Sequence, residues 1–185
     1  WNDGFGSKYS DPSTTPPDTA EGVAFSPDGN HIAISHSTSP YITAYPWSSS
    51  GFGSKYSNPS TLPGSTGEEV TFSPDGNSIA IAHSASPYVN VYAWSSGFGS
   101  KYSDPSTLPA NVCNSVAFSP DGNDIAVAHS SSPYVTAYPW SSGFGSKYSI
   151  PSTLPAGTGR GVAFSADGND IAVAHTGSPY VTAYP

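Results

Sequence analysis

Methionine is absent from this 185-residue chain, and cysteine occurs once, at Cys113. A lone cysteine cannot form an internal disulfide, and no Cys/His spacing resembles a structural zinc site, so neither cross-links nor zinc organises the fold. The missing methionine, with Trp1 at the start, suggests a piece cut from, or processed out of, a longer product. Basic residues are nearly as scarce: Lys8, Lys55, Lys101, Lys147 and Arg160 stand against thirteen acidic residues, for a formal charge of −8. A phosphate-backbone binder needs a clustered basic face, which makes nucleic acid an unsuitable partner. Anionic membrane surfaces are disfavoured for the same reason. No apolar run approaches the roughly 18 residues needed to span a bilayer, and the charged-then-apolar order of a signal peptide is missing. Nothing in the chain has helical period over a useful length.

What is present is repetition. Trp1, Trp47, Trp94 and Trp140 lie 46, 47 and 46 residues apart. Val116-Ala-Phe-Ser-Pro-Asp-Gly-Asn-Asp-Ile-Ala-Val-Ala-His129, followed by Tyr134-Val-Thr-Ala-Tyr138, has near-copies beginning at Val23, Val70 and Val162. Val116 to Ser119 alternates large and small residues and enters a Pro-Asp-Gly turn, in which proline presets φ and glycine takes the position needing φ > 0. Ile125 to His129 and Tyr134 to Tyr138 have the β-branched and aromatic content of strands. Each tryptophan leads into Gly-Phe-Gly-Ser-Lys-Tyr-Ser, which reads as a short half-buried fourth strand. A proline-dense segment such as Pro105 to Pro109 then runs on as an extended connection. Four strands per repeat of about 45 residues predict a β-propeller of four-stranded antiparallel blades. The expected blades are 22–57, 69–103, 115–149 and 161–185, all within one unit of residues 1–185. Residues 1–10 are expected to supply the outer strand of the last blade and so close the ring.

The motif Val-Ala-Phe-Ser-Pro-Asp-Gly-Asn-x-Ile-Ala-Val-Ala, followed by a strand ending in aromatics, resembles the WD-repeat β-propellers over all four repeats. A slighter likeness runs to repetitive structural proteins of tailed bacteriophages. The family's Gly-His ahead of the first strand is missing, and Tyr138-Pro139 stands where Trp-Asp is expected, so the family's hydrogen-bonding tetrad does not transfer.

Differences between repeats collect just before the first strand of each, in 17–22, 64–69, 110–115 and 156–161. Variable loops on one face of a repeated scaffold suggest a recognition surface; drift in loops without packing duty is the competing explanation. The candidate binding face comprises Asp18, Glu21, Glu68, Glu69, Asn111, Asn114 and Arg160, with His36, His83, His129 and His175 expected on the same face. Four imidazoles converging on one metal would need ligand distances near 2 Å, which blade spacing opposes, so each histidine is expected to bond a loop carbonyl or hydroxyl instead. Asp28, Asp75, Asp121 and Asp167 fall in the Asp-Gly-Asn turns, where aspartate caps its own backbone.

Trp1, Trp47, Trp94 and Trp140 are sugar-stacking candidates in a lectin reading, although aromatic recurrence at strand spacing points first to packing between sheets. No Gly-x-Ser-x-Gly elbow and no singular Asp/His pair marks a nucleophile. The sequence reads as a non-enzymatic binding scaffold, as in a module of a viral or cell-surface assembly, with no cofactor, no metal and no catalytic residue assigned. The alternatives are a propeller lectin and a propeller-type hydrolase or lyase, and the partner is a protein or a glycan. Blade geometry favours an eight-bladed ring formed by a homodimer, a four-bladed monomer being the alternative.

Overall fold

A computed structural model describes residues 4–185, which contain strands and no helix. In chain order the strands are β1 (Ala20–Phe25), β2 (His31–His36), β3 (Ile42–Ser48), β4 (Gly51–Phe52), β5 (Gly67–Phe72), β6 (Ser78–His83), β7 (Val89–Trp94), β8 (Phe98–Lys101), β9 (Cys113–Phe118), β10 (Asp124–His129), β11 (Val135–Pro139), β12 (Gly159–Phe164), β13 (Ile171–His175) and β14 (Val181–Tyr184). They form four separate antiparallel sheets, β1-β2-β3-β4, β5-β6-β7-β8, β9-β10-β11 and β12-β13-β14. The third sheet gains a single bridge, Trp140 to Phe144, in place of a regular outer strand.

Each sheet is a blade built by two local devices. In the first turn, Ser119 Oγ donates to Asp121 (2.6 Å), while Asp121 accepts from the Asn123 amide (3.1 Å) and Gly122 holds φ +75°. Hydrogen bonds from the neighbouring hydroxyl and amide hold the Asp121 carboxyl below its ordinary range. At the opposite end, the loops joining second to third strands place Tyr41, Tyr88, Tyr134 and Tyr180 at φ between +68° and +72°. A bulky residue rarely adopts that region, and here the tyrosine backbone is tied on both sides: Tyr134 N donates to Ser131 O (2.7 Å) and Tyr134 O accepts from His129 N (2.9 Å).

The core lies between blades rather than within them. Ala80, Ala82, Val89 and Val91 of the second blade pack on Cys113 and Val116 of the third, and Ala126, Ala128 and Val135 of the third pack on Val162 and Val173 of the fourth. The innermost strands β1, β5, β9 and β12 adjoin in series, so the blades fan outward from one side. Cys113 lies wholly inside the second seam, where burial pushes its thiol up. A maleimide is expected to leave Cys113 unmodified in the folded protein and to label one thiol per chain in denaturant; rapid native labelling would contradict this packing.

The expected closure is not observed. Residues 5–9 do not complete the last blade; Tyr9 instead packs edge-on against Trp47 of the first blade, with ring centroids 5.1 Å apart. The fan is an open arc: Val23 is 63% exposed although its counterparts Val70 and Val116 are 3% exposed. The fixed packing of each blade on the next sets the turn between neighbours, and the three turns between four blades leave the ends apart.

Candidate functional site

The symmetry-breaking residues sort into three groups. The first ties the variable loops to their own blade or to the preceding one. Asp18 accepts from the Thr19 amide (2.7 Å) and from Thr38 Oγ1 (2.8 Å), and these bonds hold its carboxyl below the ordinary range. Asn111 Nδ2 donates to Ser131 Oγ (2.9 Å), and Ser84 Oγ to Ser65 Oγ (3.1 Å), at the corresponding places of other blades. Thr66 and Thr158 reach back to carbonyls of Ser37 and Ser130 on the preceding blade, at 3.3 and 3.4 Å. The 64–69 and 156–161 segments therefore enter the inner strands from the same end.

The second group occupies a recurring bulge at the start of each inner strand. Ala20 pairs His36 and Gly22 pairs Ser35, which leaves Glu21 as the extra residue. The same slip leaves Glu68 in the second blade, Asn114 in the third and Arg160 in the fourth. A bulge interrupts the two-residue alternation of a strand and re-aims one side chain, here at the side where the blades converge. Glu68 is half-buried, and burial raises its carboxyl pKa; the Glu21 charge adds to that rise and the Arg160 charge opposes it. Charges from the first and fourth blades thus act on Glu68 of the second. Asn114 Nδ2 donates to Gly159 O of the next blade (2.7 Å).

The residue after the bulge does a different job. Glu69 Oε2 accepts from the Val116 amide (2.9 Å), and Ser115 Oγ accepts from the Val162 amide (3.1 Å), each clamping the following blade. Gly22 holds this position in the first blade, where an added Cβ would meet Glu69 Cα at 2.9 Å. Sequence reasoning missed Ser115 as a seam residue; its spacing from Glu69 across one repeat was the available signal.

The histidines correct the expected face. His36, His83, His129 and His175 are buried rather than displayed, because they end the second strands and point under the adjoining loop. His36 bonds Thr38 O (2.7 Å) and Thr43 Oγ1 (2.8 Å), and His129 and His175 each contact the equivalent threonine, Thr136 and Thr182, at 2.9 Å. In the second blade Asn90 replaces that threonine, and burial depresses His83 to about 4. Among the described residues, no three His, Cys, Asp or Glu side chains are grouped to hold a metal ion.

The tryptophans are also corrected as sugar platforms. Trp94 and Trp140 are buried, and Trp47 is half-buried, each under T-shaped aromatic neighbours. Phe72, Tyr56 and Phe98 surround Trp94 at 5.2 to 5.5 Å. Trp1 lies outside the described residues.

No protein-family model and no curated protein matches this chain. Solved structures do share its fold. A Bacteroides uniformis protein provisionally assigned as a 6-phosphogluconolactonase overlays with a TM-score of 0.72 at 17% identity, covering 94% of this chain and 54% of its own. Hydrazine synthase of Kuenenia stuttgartiensis overlays with a TM-score of 0.66 at 16% identity, covering 91% and 46%. The chain therefore spans about half the length of either, and the likeness is one of fold: an all-β arc of propeller-like blades.

Proposed function

We propose that this chain is a non-enzymatic binding scaffold whose ligand meets the end of the arc where the inner strands begin. The observation that carries this reading is the shared bulge. Four near-identical blades place three kinds of side chain, glutamate in the first two (Glu21, Glu68), then Asn114 and Arg160, at one structural position beside the concave side. A scaffold that repeats its packing residues and varies the one residue each blade aims inward suits recognition of an asymmetric ligand. The Asp-Gly-Asn turns at the opposite ends of the same strands repeat without variation and serve as an internal control.

Panning a random peptide display library and probing a glycan array with the purified chain tests the reading. A selected binder is expected to lose tenfold or more in affinity on Glu68→Gln or Arg160→Ala and to be unchanged on Asp121→Asn. Equal losses at both ends would remove the assigned face. Turnover of 6-phosphogluconolactone, or of any substrate in a hydrolase panel, would replace the scaffold with an enzyme.

A further inference from the structure

We propose that the open edge of the fourth blade is a docking site for a second copy of this chain, whose residues 5–9 supply the outer strand, and that two copies close a ring of eight blades. This inference is independent of the ligand-binding face.

In the first three blades the edge of the third strand is always met. Tyr56 N donates to Ala44 O (2.9 Å), Tyr102 N to Val91 O (2.9 Å) and Tyr148 N to Ala137 O (3.0 Å). The repeat equivalent in the fourth blade is Ala183 O on β14, where the described residues place no fourth strand. Beside this edge opens a groove of about 720 Å³, lined by Tyr148, Phe164, Ile171 and Tyr184 among others. In the third blade Trp140 sits between Tyr102 (5.2 Å) and Phe118 (5.6 Å), and Phe144 packs on Tyr138 (5.3 Å). Tyr148, Phe164 and Tyr184 are the matching groups of the fourth blade, so the groove has the shape and lining for a further tryptophan and phenylalanine at that spacing.

Residues 5–9, Phe-Gly-Ser-Lys-Tyr, carry the same Phe-x3-Tyr spacing as 144–148, with Trp1 four residues ahead of Phe5 as Trp140 is of Phe144. The ring of Tyr56 packs on Trp94 of the next blade at 5.5 Å, and Tyr102 on Trp140 at 5.2 Å. Tyr9 holds this relation to Trp47 at 5.1 Å. It is therefore placed as the outer strand of a blade that would precede the first, at the far end of the arc from β14.

The broad faces agree with the edge. Val135 is 6% exposed because the fourth blade covers it, whereas its counterpart Val181 is 56% exposed. Val23 and Phe25 form the opposite, receiving face at the other end of the arc, also exposed. An end that repeats the donor face and an end that repeats the receiving face are complementary by construction. A second copy presents the complement of both faces, and two-fold symmetry satisfies both seams at once.

Light scattering and sedimentation of the full chain over a wide concentration range provide the test. The expected mass is twice 19.0 kDa. Val181→Arg and Val23→Arg should each return the chain to monomer with an unchanged circular dichroism spectrum, because both side chains are exposed in the single chain. A wild-type mass of 19.0 kDa at all concentrations overturns the proposal. So does a ladder of higher masses, which would mean open addition rather than closure, and so does a dimer that survives both substitutions.

Discussion

Replacing Trp140 with alanine is expected to cost about 3–5 kcal/mol of stability, the range for emptying a buried aromatic site. The indole meets Tyr102, Phe118 and Phe144 edge-on at 5.2 to 5.6 Å, so its removal strips three ring contacts and leaves a void at the joint of two blades. Trp94→Ala should act alike. Trp47→Ala should cost less, since that ring is only half-buried at the end of the arc. The urea midpoint of each variant reads the ranking. A surface platform for sugars would behave differently, with changes within about 0.5 kcal/mol at all three positions.

The second large effect is acid sensitivity in two stages. Burial lowers the pKa of His36, His83 and His129 from the ordinary 6.5, His83 reaching about 4. The unfolded chain then takes up protons that the folded chain refuses as pH falls below 6.5. Stability from these groups is complete above about 6.5 and declines toward 4, and His83 alone accounts for about 3 kcal/mol over that window. The turn aspartates act lower down. Their pKa values are depressed, Asp28 to about 2, so their stabilisation is present above 3.8 and lost as pH falls through the folded value. Urea melts from pH 7.5 to 3 should show a midpoint that first drops between 6.5 and 4. His83→Asn should flatten that slope whatever it does to the midpoint at pH 7.5; an unchanged slope would count against the buried imidazole as its source.

Much of this architecture is legible in the residues because turn chemistry and strand period act locally. Pro-Asp-Gly-Asn dictates the first turn, and the alternation in Val-Ala-Phe-Ser predicts the inner strand; both appear where the spacing places them. Ring closure is not local. It depends on the angle at which Ala82 and Val89 meet Cys113 and Val116, and no periodicity encodes an angle. The histidines show the same divide. Their recurrence at strand ends is visible in the sequence, but that the imidazole turns under the loop, against a threonine seven residues on in three blades and Asn90 in the second, is settled only in the folded hairpin. The bulge was hidden for a related reason: Glu21, Glu68, Asn114 and Arg160 look like loop variety until strand register shows that each is the unpaired residue of an otherwise regular ladder.

The clamps from Glu69 to Val116 and from Ser115 to Val162 join each blade only to its successor, and the buried clusters likewise unite adjacent blades. Stability in such a chain is a sum over neighbouring pairs rather than a property of the whole. Unequal recombination between two repeats would therefore add or remove one 46- or 47-residue unit at a seam whose two halves already match. The number of copies is free to drift through duplication until geometry at the ends, and not the integrity of any blade, selects which lengths persist.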